Sequence, residues 1–210
     1  MIRILVADDH SIIRKGVKQI VEETDDISVT AEACNGAETL NQVHHTAFDV
    51  LILDIAMPDM NGIDVLRQIR NEGYRVPVLI LSMYPETHYA VRLLRLGASG
   101  YLTKDRAPEE LITAIRAISQ GKRYITPTLA ESLVENLDDD GAVPLHKTLS
   151  DREFQVLIMI GSGKTVNEIA EKLNLSAKTI STYRTRILEK MRMKTNAQLT
   201  HYVVRNKLVE

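Results

Sequence analysis

The sequence has a single cysteine, Cys34, so no disulfide can form within the chain, and a reducing compartment suits it. No stretch approaches the roughly 18 consecutive apolar residues of a membrane span, so no membrane partner is expected. Residues 1–7 are apolar apart from Arg3, but the stretch is short and runs at once into Asp8-Asp9, which reads as a buried strand and not as a signal peptide. These absences point to a cytoplasmic chain. Its 210 residues suit two modest domains, and its apolar fraction of 44% is ordinary. Net charge is low too, at −2, but unevenly spread: −4 over residues 1–122, −3 over 123–147 and +5 over 148–210. A basic module following an acidic one points to nucleic acid at one end only; chance clustering of surface charge is the plain alternative.

Five short apolar runs recur at 2–7, 27–34, 50–53, 76–81 and 100–102. Helical patterns lie between them. Ile12, Val17, Ile20 and Val21 share a face in the first; Leu111, Ile112, Ile115 and Ile118 do so in the last, before Gly121. Apolar strands alternating with helices imply a parallel sheet covered on both sides. The expected fold is an α/β, flavodoxin-like, doubly wound five-stranded sheet, followed by a small all-α domain.

Ligands of such sheets gather outside the carboxyl ends of the strands. There the first strand ends in Asp8-Asp9, the third in Asp54 and the fourth in Ser82, while Thr103-Lys104 follow the fifth. Three clustered carboxylates repel one another unless a cation joins them, and all-oxygen ligands favour Mg²⁺. Lys104 can pair with phosphoryl oxygens and Ser82 can donate to one of them. A carboxylate so placed can act as a nucleophile and become an aspartyl phosphate. Capping of the following helices is the simpler role for any one of these Asp residues, but five converging positions outweigh it.

Residues 1–122 resemble the receiver domains of two-component response regulators. The matching elements are Val6-Ala7-Asp8-Asp9-His10, Leu53-Asp54-Ile55-Ala56-Met57-Pro58, Asn61-Gly62, Leu81-Ser82 and Gly97-Ala98-Ser99-Gly100-Tyr101-Leu102-Thr103-Lys104. The resemblance implies Asp54 as phosphoacceptor and Mg²⁺ held by Asp9, Asp54 and the carbonyl of Ala56, with Asp8 acting through water. Ser82 and Lys104 become the phosphate-sensing groups and Tyr101 the switching aromatic. Asp105 departs from the pattern, since many receivers carry proline there, so a trans bond is expected before it.

Residues 123–147 read as a linker. Pro127, Asp138-Asp139-Asp140-Gly141 and Pro144 break regular structure, a short helix over 128–137 carries Leu129, Leu133 and Leu137, and the boundary falls near Gly141. From 148 to 210 the pattern is helical. Ser150 and Glu153 form a capping box ahead of Phe154, Leu157, Ile158 and Ile160. A second helix over 166–173 turns at Asn174-Leu175 into a third, capped by Ser176 and running to about Met193; a fourth starts at Thr195. Two short helices joined by a tight turn match a helix-turn-helix. On the third helix Ile180, Tyr183, Ile187 and Met191 share the core face. Lys178, Ser181, Thr182, Thr185 and Arg186 stand opposite, where hydroxyls and cations can reach base edges and phosphates.

This part resembles the LuxR-type helix-turn-helix, through Leu149-Ser150-Asp151-Arg152-Glu153, Asn167-Glu168-Ile169-Ala170, Lys178-Thr179-Ile180 and Lys190-Met191. Carried over residue by residue, the resemblance adds Thr179, Tyr183 and Lys190 to the DNA-contacting set. Tyr183 stands where histidine is common. Together the two parts are similar to the NarL/FixJ group, closest to its GacA/UvrY subgroup, which implies control of small regulatory RNA genes. The implied protein is not an enzyme but a transcription factor. Its expected partners are a sensor histidine kinase, double-stranded promoter DNA and, once phosphorylated, a second copy of itself. A phosphohydrolase of the haloacid dehalogenase type also uses a strand-end Asp and Mg²⁺, but needs an acid–base Asp where Ala56 stands. A regulator that ignores phosphate is a third reading, and it usually loses the acidic pocket that this chain keeps.

Overall fold

The computed structural model describes residues 1–135, 144–173, 175–206 and 208–209. They divide into two compact units, Met1–Glu135 and Asn136–Glu210.

In the first unit β1 (Ile2–Ala7), β2 (Ile27–Ala33), β3 (Val50–Leu53), β4 (Val78–Ser82) and β5 (Gly100–Thr103) form one sheet in the order β2-β1-β3-β4-β5. All four pairings are parallel. Every residue of β3 and β4 is buried, which is why both read as unbroken apolar runs. β4 starts at Val78, two residues later than the apolar run suggests. Pro77 has no N–H to donate to a ladder, and the carbonyl of Val76 is taken by Arg70 at 2.9 Å.

The helices are α1 (Ser11–Glu22), α2 (Gly36–His45), α3 (Gly62–Asn71), α4 (Glu86–Arg95), α5 (Ala107–Ser119) and α6 (Pro127–Glu135). Val17 and Val21 of α1 and Leu111, Ala114, Ile115 and Ile118 of α5 bury against Ile4, Val6, Ile52 and Leu81 of the sheet. Each fully buried aliphatic side chain there contributes roughly 1.5–3 kcal/mol. Ile12, expected on the inward face of α1, is instead 76% exposed. Ile13, one turn before Val17, packs in its place.

The open edge of β5 is covered by the chain that follows α5. Tyr124 bridges to Gly100 and donates its N–H to the Ser99 carbonyl at 2.9 Å. Thr126 then caps α6, accepting from the Leu129 N–H at 3.2 Å, while its hydroxyl donates to Glu86 Oε2 at 2.6 Å. Leu129 is fully buried where α6 lies on α4. The expected helix over 128–137 is thus observed as Pro127–Glu135. The Leu133 side chain, Leu137 and the run 138–141 fall outside the described residues.

The second unit holds a short 3-10 turn (Leu145–Thr148), α7 (Asp151–Gly161), α8 (Val166–Lys172), α9 (Ala177–Lys190) and α10 (Asn196–Arg205). Capping boxes start three of the helices: Ser150 with Glu153, Thr165 with Glu168 and Thr195 with Gln198. Each cap is worth about 1 kcal/mol. Phe154, Leu157, Ile169, Ile180, Ile187, Leu199 and Val203 are buried. Gly161 admits α10, since a Cβ there would fall 2.5 Å from Val203 Cγ1. The chain turns from α8 to α9 with the Leu175 N–H returning to the Ala170 carbonyl at 2.9 Å; Asn174 lies outside the described residues. α9 ends at Lys190 and not near Met193, because Arg192 adopts a left-handed φ of 54° that stops the helix. Among the described residues no peptide bond is cis, including the one before Asp105.

Candidate functional site

The sheet order reverses between β1 and β3, which opens a crevice at their carboxyl ends. Asp8 leaves β1 and Asp54 leaves β3, and the Asp54 N–H donates to the Ala7 carbonyl at 2.8 Å. Lys104, just past β5, reaches across with its Nζ 2.6 Å from Asp8 Oδ2 and 3.0 Å from Asp54 Oδ2. All three side chains are buried, whereas Asp9 at the rim is 30% exposed. Ser82, at the end of β4, is fully buried.

Burial pushes the Asp54 carboxyl above the usual carboxylate range; the attraction of Lys104 opposes this and the nearby charge of Asp8 adds to it. The Lys104 ammonium is held above its ordinary value because attraction from Asp54 and Asp8 outweighs the larger single effect of burial. Three carboxylates and one ammonium sum to −2. Oδ2 of Asp54 is met by Lys104, whereas its Oδ1 has no hydrogen-bond partner among the described residues. A small divalent cation fits that charge and those oxygens. Asp9, Asp54 and the half-buried Ala56, whose carbonyl lies two residues beyond Asp54, are the residues that would hold it.

The ring of Tyr101 is fully buried, and its hydroxyl donates to the Tyr84 carbonyl at 2.7 Å. Burial drives the Tyr101 phenol strongly upward, so it stays a donor. The Tyr84 N–H in turn donates to Ser82 Oγ at 3.2 Å. Tyr84 therefore joins the strand-end hydroxyl to the aromatic ring through its backbone, a role its side chain gives no hint of. His10 is the second residue that strand-end reasoning passed over. Its Nδ1 lies 2.7 Å from Asp9 Oδ1, and only its place directly after the Asp pair signals it.

Behind the pocket, Asn61 caps α3 by accepting from the Asp64 N–H at 2.7 Å. Gly62 then backs directly onto Asp54, so that a Cβ would fall 2.0 Å from the Asp54 carbonyl oxygen. Gly62→Ala must displace the end of β3 and is expected to cost about 2–3 kcal/mol. Thermal denaturation checks this, and an unchanged melting temperature would refute the contact.

In the second unit Lys178, Ser181, Thr182, Thr185 and Arg186 all lie exposed on α9. Two of the hydroxyls turn back on their own helix: Thr182 donates to the Lys178 carbonyl at 3.0 Å and Thr185 to the Ser181 carbonyl at 3.1 Å. Thr179 is half-buried, its hydroxyl 2.8 Å from that of the capping Ser176. Tyr183 is half-buried as well. Lys190 is exposed as well, with its Nζ 2.6 Å from Oε2 of the buried Glu153 on α7.

That pair fixes α9 against α7. Burial raises the Glu153 carboxyl, but Lys190 and the Ser150 N–H together hold it below its ordinary value. Its contribution to stability is therefore present above the ordinary carboxylate range and lost as pH falls through the lowered one. Lys190→Met strands a buried carboxylate and is expected to destabilise this unit by about 1–3 kcal/mol at pH 7. Calorimetry of the full chain measures it, and no loss at pH 7 would count against the pairing.

The sheet order, the strand-end acidic pocket and the capped helix pair together define a class. Residues 4–116 match the response regulator receiver domain, and residues 147–203 match the bacterial regulatory proteins of the luxR family. The chain belongs to the response regulators that join these two parts, and so to a family of DNA-binding transcriptional regulators. It is 34% identical to the response regulator UvrY of Escherichia coli (strain K12), over 99% of this chain and 96% of that one. It is 35% identical to the response regulator GacA of Pseudomonas protegens, over 100% and 99%. The RcsB response regulator of Salmonella typhimurium has a similar structure, with a TM-score of 0.69, 26% identity and 97% of both chains covered. RcsB from Salmonella enterica serovar Typhimurium bound to promoter P1flhDC, in the presence of the phosphomimetic BeF3−, gives a TM-score of 0.61 at 27% identity, covering 96% of this chain and 97% of that one. Among the described residues no helix is long and apolar enough to cross a membrane.

Proposed function

We propose that residues 1–122 form a receiver domain phosphorylated on Asp54 by a sensor histidine kinase, and that this controls promoter binding by residues 148–210 through the linker 123–147. The observation that carries the reading is the buried Lys104 between Asp8 and Asp54, at the topological switch point of the sheet. An Asp54 oxygen attacks the donor's phosphorus, a P–O bond forms to the carboxylate, and the donor's nitrogen or oxygen leaves with the electron pair. Asp9, Asp54 and the Ala56 carbonyl, with Asp8 through water, would hold Mg²⁺, which would supply the charge neutralisation that a phosphoryl dianion needs to approach. Lys104 then exchanges part of its pairing with the carboxylates for pairing with phosphoryl oxygens. Ser82 donates to a phosphoryl oxygen, which draws on the Tyr84 segment and on the buried Tyr101 hydroxyl bonded to it. The chain acts as a cytoplasmic switch and not as an enzyme on outside substrates, since Ala56 leaves no acid–base carboxyl two residues after Asp54.

DNA contacts fall to Lys178, Ser181, Thr182, Thr185 and Arg186, with Thr179 and Tyr183 at the margin and Lys190 holding the helix in place. One module of about 60 residues offers a single helix to the groove, so pairing two copies on double-stranded DNA adds avidity. Beryllofluoride with Mg²⁺ is therefore expected to raise both the dimer fraction and promoter affinity. Sedimentation and DNA titration test this, and identical values with and without the phosphate mimic would overturn it. The resemblance to the GacA/UvrY subgroup implies control of small regulatory RNA genes, which mapping of genomic binding sites checks.

A further inference from the structure

We infer that His10 is a direct ligand of the cation in the carboxylate pocket and tilts that site toward nitrogen-seeking transition ions such as Mn²⁺. This rests on the phosphoacceptor reading above and adds the choice of metal to it.

His10 follows Asp9 directly and sits at the N-cap of α1, yet its side chain makes no capping bond. Its backbone N–H is fixed instead by Asp8 Oδ1 at 2.8 Å. That bond turns the imidazole into the pocket mouth, with Nδ1 2.7 Å from Asp9 Oδ1 and 3.2 Å from Asp8 Oδ1. One ligand atom from each of Asp8, Asp9, His10 and Asp54 lies within 4.8 Å of the others. Two ligands of one ion, each about 2.1 Å away from it, are at most about 4.2 Å apart, so a sub-ångström contraction lets Asp9, His10 and Asp54 share one ion, with Asp8 left to act through water.

A second observation points to an ion independently of the exposed groups. Asp54 is 1% exposed; its Oδ2 is met by Lys104 at 3.0 Å, while its Oδ1 has no hydrogen-bond partner among the described residues. Lys104 supplies one positive charge against Asp8 and Asp54 together. Without an ion, Nδ1 donates its proton toward the Asp9 and Asp8 oxygens; because the side chain is 59% exposed, an ion that replaces those bonds can leave the ring proton on Nε2 in water and the Nδ1 lone pair facing inward. Mg²⁺ favours oxygen ligands and gives up its waters reluctantly, whereas imidazole binds first-row transition ions well. A nitrogen at this position thus raises affinity for Mn²⁺ and leaves that for Mg²⁺ nearly unchanged. A His10 that merely pairs with Asp9 has no such selectivity.

The test is Mn²⁺ binding to the full chain, followed by electron paramagnetic resonance, with Mg²⁺ affinity taken from competition. For His10→Gln the Mn²⁺ affinity is expected to fall about tenfold and the Mg²⁺ affinity less than about twofold. Pulsed spectra of the Mn²⁺ complex are expected to show a coupled imidazole nitrogen that disappears in the variant. Equal losses for both ions overturn the proposal, as does a nitrogen signal that is missing from the wild type or persists in His10→Gln. If neither ion binds, or if Asp54→Asn leaves Mn²⁺ binding unchanged, the pocket is not a cation site, and the underlying reading falls together with the role of His10.

Discussion

Replacing Asp54 with asparagine is expected to abolish phosphate uptake from an acyl phosphate in the presence of Mg²⁺, because an amide offers no nucleophilic oxygen. The wild type should gain one phosphoryl group by intact mass, and a chelator should prevent that gain. A phosphorylated Asp54→Asn protein would move the acceptor elsewhere. The same substitution has a second, opposite effect. Burial raises the Asp54 carboxyl above its ordinary value of 3.8. The folded chain therefore binds this proton more tightly than the unfolded chain does. Stability from the group is complete below about 3.8 and is lost as pH rises through the raised folded value. At pH 7 without metal the charged Asp54 is a burden, and Asp54→Asn is expected to be about 1–2 kcal/mol more stable. Lys104 still has Asp8 at 2.6 Å to pair with. Melting in chelator at pH 7 and near pH 3.5 tests the sign: the advantage should be clear at the first and shrink at the second. Adding a divalent cation at pH 7 should stabilise the wild type and close the gap from the other side.

On α9 the expected division is between anchoring and reading. Lys178→Ala should weaken a cognate and a scrambled duplex alike, and lower the slope of log affinity against log salt by about one. Thr182→Ala should cost on the order of 1–3 kcal/mol at one base position and leave that slope nearly unchanged. The Thr182 hydroxyl already donates to the Lys178 carbonyl, so its offer to a base is a methyl group and an accepting lone pair. Thr182→Val keeps the methyl and therefore separates the two. Arg186 can take either role, and its salt slope decides which. If Thr182→Ala weakened both duplexes equally while Lys178→Ala affected only the cognate one, this docking of α9 would be wrong.

The strands and the acidic edge were legible because each depends on local pattern. Buried parallel strands are continuous apolar runs, and a strand end is marked by its first charged residue, as Asp8 and Asp54 show. What escaped depends on partners far along the chain or on one backbone angle. Ile12 and Ile13 are equally apolar, and only the phase of α1 against the sheet selects Ile13. The end of α9 turns on the φ of Arg192, a residue with no sequence bias toward that conformation. The pairing of Lys190 with Glu153 could not be read, since nothing near Lys190 in sequence announces a partner 37 residues earlier. Tyr84 acts through its amide and carbonyl, which every residue type possesses. His10 was visible within its motif, but oxygen-ligand reasoning assigned it no part.

The residues that follow α5 bear on where this chain can be cut. The receiver match stops at residue 116, whereas the compact unit continues to Glu135. A fragment ending at 116 loses Tyr124 from the flank of Gly100 and Leu129 from α4. The outer rim of β5 is then bare, with unpaired amides and carbonyls next to a greasy patch, the arrangement through which strands of separate molecules stick together. Fragments meant to report on the isolated phosphoacceptor half should therefore run through α6, because shorter ones would reveal the habits of an uncovered edge.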